Sequence, residues 1–81
     1  MSREEVNKAL NEIFQSVFDD EKITVNDKTT ANDIEDWDSL EHVNLIVAVE
    51  KKFHIKFNME EVNKLKNVGE MIDIIVARIN Y

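Results

Sequence analysis

The 81-residue sequence contains no cysteine, no proline and a single glycine, Gly69. Without cysteine there is neither a disulfide framework nor a thiolate metal site, so any thiol chemistry has to arrive on an attached group. The lack of proline and near-lack of glycine leave no flexible linker, repeat or low-complexity stretch to mark a domain boundary. Long hydrophobic runs are missing too: the longest, Leu45 to Val49, has five residues, against roughly 20 for a membrane-crossing helix. Membrane insertion is therefore not expected. The start, Met-Ser-Arg-Glu-Glu, has no apolar signal region or small-residue cleavage site, so the expectation is a soluble, cytoplasmic chain.

Basic residues are the scarcer charge, ten against seventeen acids, for a net charge of −7. That balance opposes binding to nucleic-acid phosphates or anionic membrane surfaces. The excess is local. Residues 19 to 41 hold nine acids against Lys22 and Lys28, whereas the rest of the chain is balanced. A segment of this kind attracts basic partners or simply keeps a loop solvated. With 43% hydrophobic residues the chain suffices for one small domain over 1–81, burying about 60–65% of its unfolded surface. A deep multi-domain active site is not expected, and a monomer is.

Four helices account for the apolar pattern. Val6, Leu10, Ile13, Phe14 and Val17 lie on one face of a helix over about 3–18, with Ser2 and Glu5 as its capping box. Leu40, Val43, Ile46, Val47, Val49 and Phe53 define a second over about 39–53. Asp38 and Glu41 suit its first turn, and Lys51, Lys52 and His54 suit its end. Asn58 with Glu61 opens a short third helix, and Asn67 with Glu70 a fourth over about 68–79. Residues 19–37 form a connection longer than structureless loops in compact domains usually are. Ile23, Val25, Ile34 and Trp37 are placed to pin it, and Thr30 to Asp33 to form one helical turn. Ile23-Thr24-Val25 alternates like a strand, but no second strand is evident. The fold class is all-α: a small four-helix bundle with a long connection between helices one and two and a short third helix.

Ser39 stands where the acidic connection ends and the apolar helix begins, in Asp36-Trp37-Asp38-Ser39-Leu40. Free backbone N–H groups and the positive end of the helix dipole favour a phosphate on its hydroxyl. Glu35, Asp36, Asp38 and Glu41 repel a freely diffusing one, and covalent attachment resolves the conflict.

Asp38-Ser39-Leu40, followed at helical spacing by Val43, Leu45-Ile46, Ala48, Glu50 and Phe53, then Ile55, Phe57, Glu60-Glu61 and Val68-Gly69, resembles the acyl carrier proteins over nearly the whole chain. The resemblance implies that Ser39 accepts a 4'-phosphopantetheine arm from coenzyme A through a separate phosphopantetheinyl transferase. Asp38 and Leu40 match the residues flanking the attachment serine. An arm ending in a thiol fits a chain that has no cysteine. The chain itself would then catalyse nothing and would present acyl thioesters to acyl-loading and acyl-processing enzymes in fatty acid, polyketide or specialised lipid biosynthesis. The resemblance places Glu41, His42, Asn44, Glu60 and Glu61 on the partner-binding side. Leu45, Ile46, Val49, Val62, Leu65 and Ile72 match positions that in the family part to shelter an acyl chain. Fatty-acid-synthesis members commonly carry acids where Asn44, Lys51 and Lys52 stand. With Trp37 and His42, this resembles a free-standing carrier of a specialised pathway.

Other readings are weaker. Ser39 and His42 face one side of a helix, but a nucleophilic serine needs an elbow, an oxyanion hole and an orienting acid beyond the base. His42 is then a surface residue near the arm. No register of Asp33, Glu35, Asp36 and Asp38 supplies an EF-hand's alternating ligands with a glycine at its sixth position, and no transition-metal site is expected. The competing class is a non-modified helical interaction domain that uses its acidic face to bind a basic partner.

Overall fold

In the computed structural model, which describes residues 2–79, each helix begins at a side-chain cap. The ends of the domain expected over 1–81 lie outside the described residues. Helix α1 spans Arg3–Val17, and Ser2 and Glu5 satisfy each other's backbone amides in a complete capping box. Helix α2 spans Ser39–Phe53 with Asp38 as N-cap. Helix α3 spans Met59–Lys64, boxed by Asn58 and Glu61. Helix α4 spans Val68–Ile79. A single 3-10 turn, Ala31–Asp33, punctuates the α1–α2 connection. The expected all-α class is observed, with no strand among the described residues.

The core is built by α1, α2 and α4. Val6, Leu10 and Phe14 of α1, Leu45 and Val49 of α2, and Val68, Met71, Ile72 and Ile75 of α4 are fully buried. Helix α1 packs against both α2 and α4. At about 1.5–3 kcal/mol per buried side chain, these faces dominate the stability. Helix α3 buries none of its residues. It is held by polar contacts and half-buried side chains, and is the element with least to lose on opening.

The long connection has no strand partner because helix α1 supplies the bonds. Asn11 Oδ1 accepts from the Val25 amide at 2.7 Å and Asn11 Nδ2 donates to the Val25 carbonyl at 3.1 Å. One turn on, Gln15 Nε2 donates to the Ile23 carbonyl at 2.9 Å. Val25 and Ile34 are buried, as expected of pinning residues, and Ile23 and Trp37 pack half-buried against the core. Further along, the connection caps α4: the Val68 amide donates to the Thr29 carbonyl at 2.9 Å and the Gly69 amide to the Asp27 carbonyl at 3.0 Å. Gly69 is required by this approach, because a Cβ there would lie 2.7 Å from the Asp27 carbonyl oxygen.

Asn11→Ala strips both bonds from the buried Val25 backbone and is expected to destabilise the fold by about 2 kcal/mol. Gly69→Ala is expected to cost about 1–3 kcal/mol by forcing the connection away from α4. Urea unfolding monitored by circular dichroism measures both.

Candidate functional site

Asp38 ends the connection in extended conformation and turns it into α2. Its carboxylate accepts from the Glu41 amide at 2.8 Å, and its carbonyl accepts the His42 amide at 2.9 Å. Glu41 makes no return bond to the cap. Glu41 Oε1 instead accepts from Asn44 Nδ2 at 2.9 Å, one turn along the helix, while the Asp38 amide donates to the Asp36 carbonyl. Ser39 is thus the first residue of α2, and it is exposed.

Trp37 fixes this corner from below. Its ring meets Phe14 edge-on at 5.2 Å and stacks on His42 at 5.8 Å. The indole N–H donates to His42 Nδ1 at 3.0 Å, and His42 Nε2 lies 3.1 Å from the Val62 carbonyl. An indole has only a hydrogen to offer, so Nδ1 accepts and the proton sits on Nε2, donated to Val62. His42 is therefore not the plain surface residue that the sequence suggested. It is a half-buried strut joining the connection, α2 and α3.

Ser39 stands on the wall of a cleft of about 650 Å³ that runs between α2 and the α3 segment down to Met71 of α4. Ile46, Val62 and Leu65 line it. The other three positions matched to an acyl shelter, Leu45, Val49 and Ile72, are fully buried in the core behind the cleft. Val43, Val47, Phe57, Met59 and Met71 also line it, and sequence reasoning did not assign them to it. Leu40, Val43, Val47 and Met59 are exposed and surround Ser39 and the cleft mouth with apolar surface.

The residues placed on the partner side divide. Glu60 is exposed and pairs with Lys64 at 2.7 Å. Glu61 is half-buried and pairs with Arg78 of α4, whose guanidinium also lies 5.7 Å from the Phe57 ring centre. The Arg78 bond, followed by the Asn58 amide, holds the Glu61 carboxyl below its ordinary range. With the His42–Val62 bond, this pair latches α3 over the cleft. Glu41 is half-buried and Asn44 exposed.

An exposed serine thus stands at a helix start, beside a mainly apolar cleft open to solvent. Residues 8–75 match the family model described as phosphopantetheine attachment site. The chain is 36% identical over 75 residues to an acyl carrier protein of Acidothermus cellulolyticus, covering 93% of this chain and 89% of that one. It is 31% identical to an acyl carrier protein of Coprothermobacter proteolyticus over 98% of this chain and 96% of the relative. The solution structure of a holo acyl carrier protein from Geobacter metallireducens superposes with a TM-score of 0.85 at 48% identity, over 90% of this chain and 84% of that one. The chain belongs to the acyl carrier protein family, and its prosthetic group is 4'-phosphopantetheine. Among the described residues no helix is long and apolar enough to cross a membrane.

Three outcomes follow. Asp38→Ala is expected to cost about 1 kcal/mol of stability, read by thermal unfolding. The Glu61 carboxylate is favoured in the folded state, so its contribution is full above the ordinary carboxyl range and is lost as pH falls through its lowered value. Protection factors of the α3 amides, which correct for the slowing of intrinsic exchange in acid, should therefore fall on acidification before those of α1, and Arg78→Met should lower them by about fivefold at neutral pH, a loss of roughly 1 kcal/mol.

Proposed function

We propose that Ser39 is the residue that receives the 4'-phosphopantetheine arm, and that the chain acts as a dedicated acyl carrier rather than as a catalyst. The observation that carries this reading is the position of Ser39: exposed, first in α2, and on the wall of the cleft. When bound, the arm supplies the thiol that the polypeptide lacks, holding an acyl group as a thioester.

The chain's own residues place and serve that arm. Asp38 caps the helix and, with Trp37 below it, fixes where the Ser39 hydroxyl faces. Asp38 already occupies the Glu41 amide, so the Ser39 and Leu40 amides are the first-turn donors left to face a phosphate ester. Leu40, 69% exposed, offers an apolar contact to an incoming transferase or acyl-handling enzyme. The cleft lined by Ile46, Val62, Leu65 and Met71 is the place for the hydrophobic part of a cargo, and α3 is the side that gives way. Tethering raises the effective concentration of the acyl group at every enzyme that docks. The partners are a phosphopantetheinyl transferase and acyl-loading and acyl-processing enzymes, met in the cytoplasm.

Asn44, Lys51 and Lys52 make the exposed side of α2 less acidic than the pattern of fatty-acid-synthesis members, which supports service in a specialised pathway. Loading by general fatty-acid enzymes is then expected to improve by roughly tenfold in Asn44→Glu with Lys51→Glu; equal loading of both proteins would remove that assignment. The attachment itself is tested by intact mass after incubation with coenzyme A and a broad-specificity transferase. The unaltered chain gains the mass of one arm and Ser39→Ala gains none. An unmodified wild-type chain, or an arm on another residue, would contradict the proposal.

A further inference from the structure

Helix α2 presents a face with opposite charge at its two ends. Leu40, Asn44, Val47 and Lys51 follow one another at four- and three-residue helical spacings and are all exposed, with Val43 beside them. Before this stripe lie exposed Glu35, Asp36 and Asp38. Beyond it lies a second, shallower cleft of about 360 Å³ lined by Val47, Glu50, Lys51, His54, Ile55 and Lys56. Its one carboxylate, Glu50, accepts from the Phe57 amide at 2.7 Å. The ion pairs among the described residues use Arg3, Lys64 and Arg78, and none engages Lys51, Lys52 or Lys56. The dipole of α2 accounts for cations in its last turn, but Lys56 lies past the helix, where that effect has faded.

From this arrangement we infer that the enzyme receiving the cargo carries an acidic patch that meets Lys51 and Lys56, about 18 Å along the helix from the point where Ser39 enters it. Between the two lies an apolar contact for Leu40, Val43 and Val47, and near the arm entrance a basic rim for Asp36 and Asp38. The inference rests on the carrier reading above and gives it a partner chemistry. Opposed patches fix one orientation of docking and discourage enzymes that are basic along the whole groove. A second copy running antiparallel would also match the charges end to end. The −7 charge on each chain opposes that pairing, which would also cover both Ser39 residues.

The test uses the holo chain, after intact mass has verified arm uptake. In an extract of the native host, a carbodiimide joins lysine amines to carboxylates they touch, with no spacer. The expected product links Lys51 or Lys56 to an aspartate or glutamate of an enzyme captured only when the arm is present. With that enzyme, Lys51→Glu with Lys56→Glu should raise KM about tenfold while leaving kcat, arm uptake and melting temperature near wild type; Lys51→Arg with Lys56→Arg should keep KM. Links only between copies of this chain, no links from these lysines to an enzyme retained through the arm, or an unchanged KM in the charge-reversed protein would each overturn the inference. Failure of the wild-type chain to take up an arm would instead overturn the carrier reading itself, and is seen before any cross-linking begins.

Discussion

Asn11 acts as a substitute strand. By giving both a donor and an acceptor to the backbone of Val25, it lets an extended segment lie across a helix without leaving buried peptide groups unpaired. The rest of the site depends on this contact. Once Val25 is fixed, Thr29 and Asp27 reach the start of α4, Ile34 enters the core, and Trp37 settles on Phe14. The next two residues are Asp38 and Ser39. The serine is thus placed by a chain of contacts running back through the connection to α1, with the α2 cap as the last step.

The structure divides unequally between rigid and yielding parts. Helices α1, α2 and α4 share one apolar core, whereas α3 contributes no buried residue. What keeps α3 in place is the Arg78–Glu61 pair, the His42 bond to Val62, and half-buried Val62 and Leu65. Such contacts are worth about 1 kcal/mol each, far below the summed burial of the core. On the proposed reading, cargo is enclosed and released without unfolding, and a lightly held α3 beside a firmly held α2 separates those needs. The Ser39 corner is anchored to the core through Trp37, while the α3 wall of the cleft is lightly held.

Helix boundaries were legible in the sequence because each start carries its own chemistry: Ser2 with Glu5, Asp38, and Asn58 with Glu61 sit at the observed caps. The serine corner was legible for the same reason, with the family pattern around it. The route of the connection was not. Asn11 and Gln15 read as ordinary polar positions of an amphipathic helix, and nothing local reveals that their amides turn toward a distant backbone. The family resemblance grouped Leu45, Val49 and Ile72 with Ile46, Val62 and Leu65, but a sequence pattern cannot tell a core from the wall of a cleft. Phe57, Met59 and Met71 lie on three separate segments that only the packing brings together. His42 looked free because its partners are a side chain five residues back and a carbonyl twenty residues ahead.

The most direct test of the account is peptide mass mapping of the protein isolated from its native host while the pathway it serves is running. The account predicts that the peptide containing Ser39 carries the phosphopantetheine arm, with or without cargo, and that no other serine does. A bare Ser39 in cells that still make the pathway's product would contradict it.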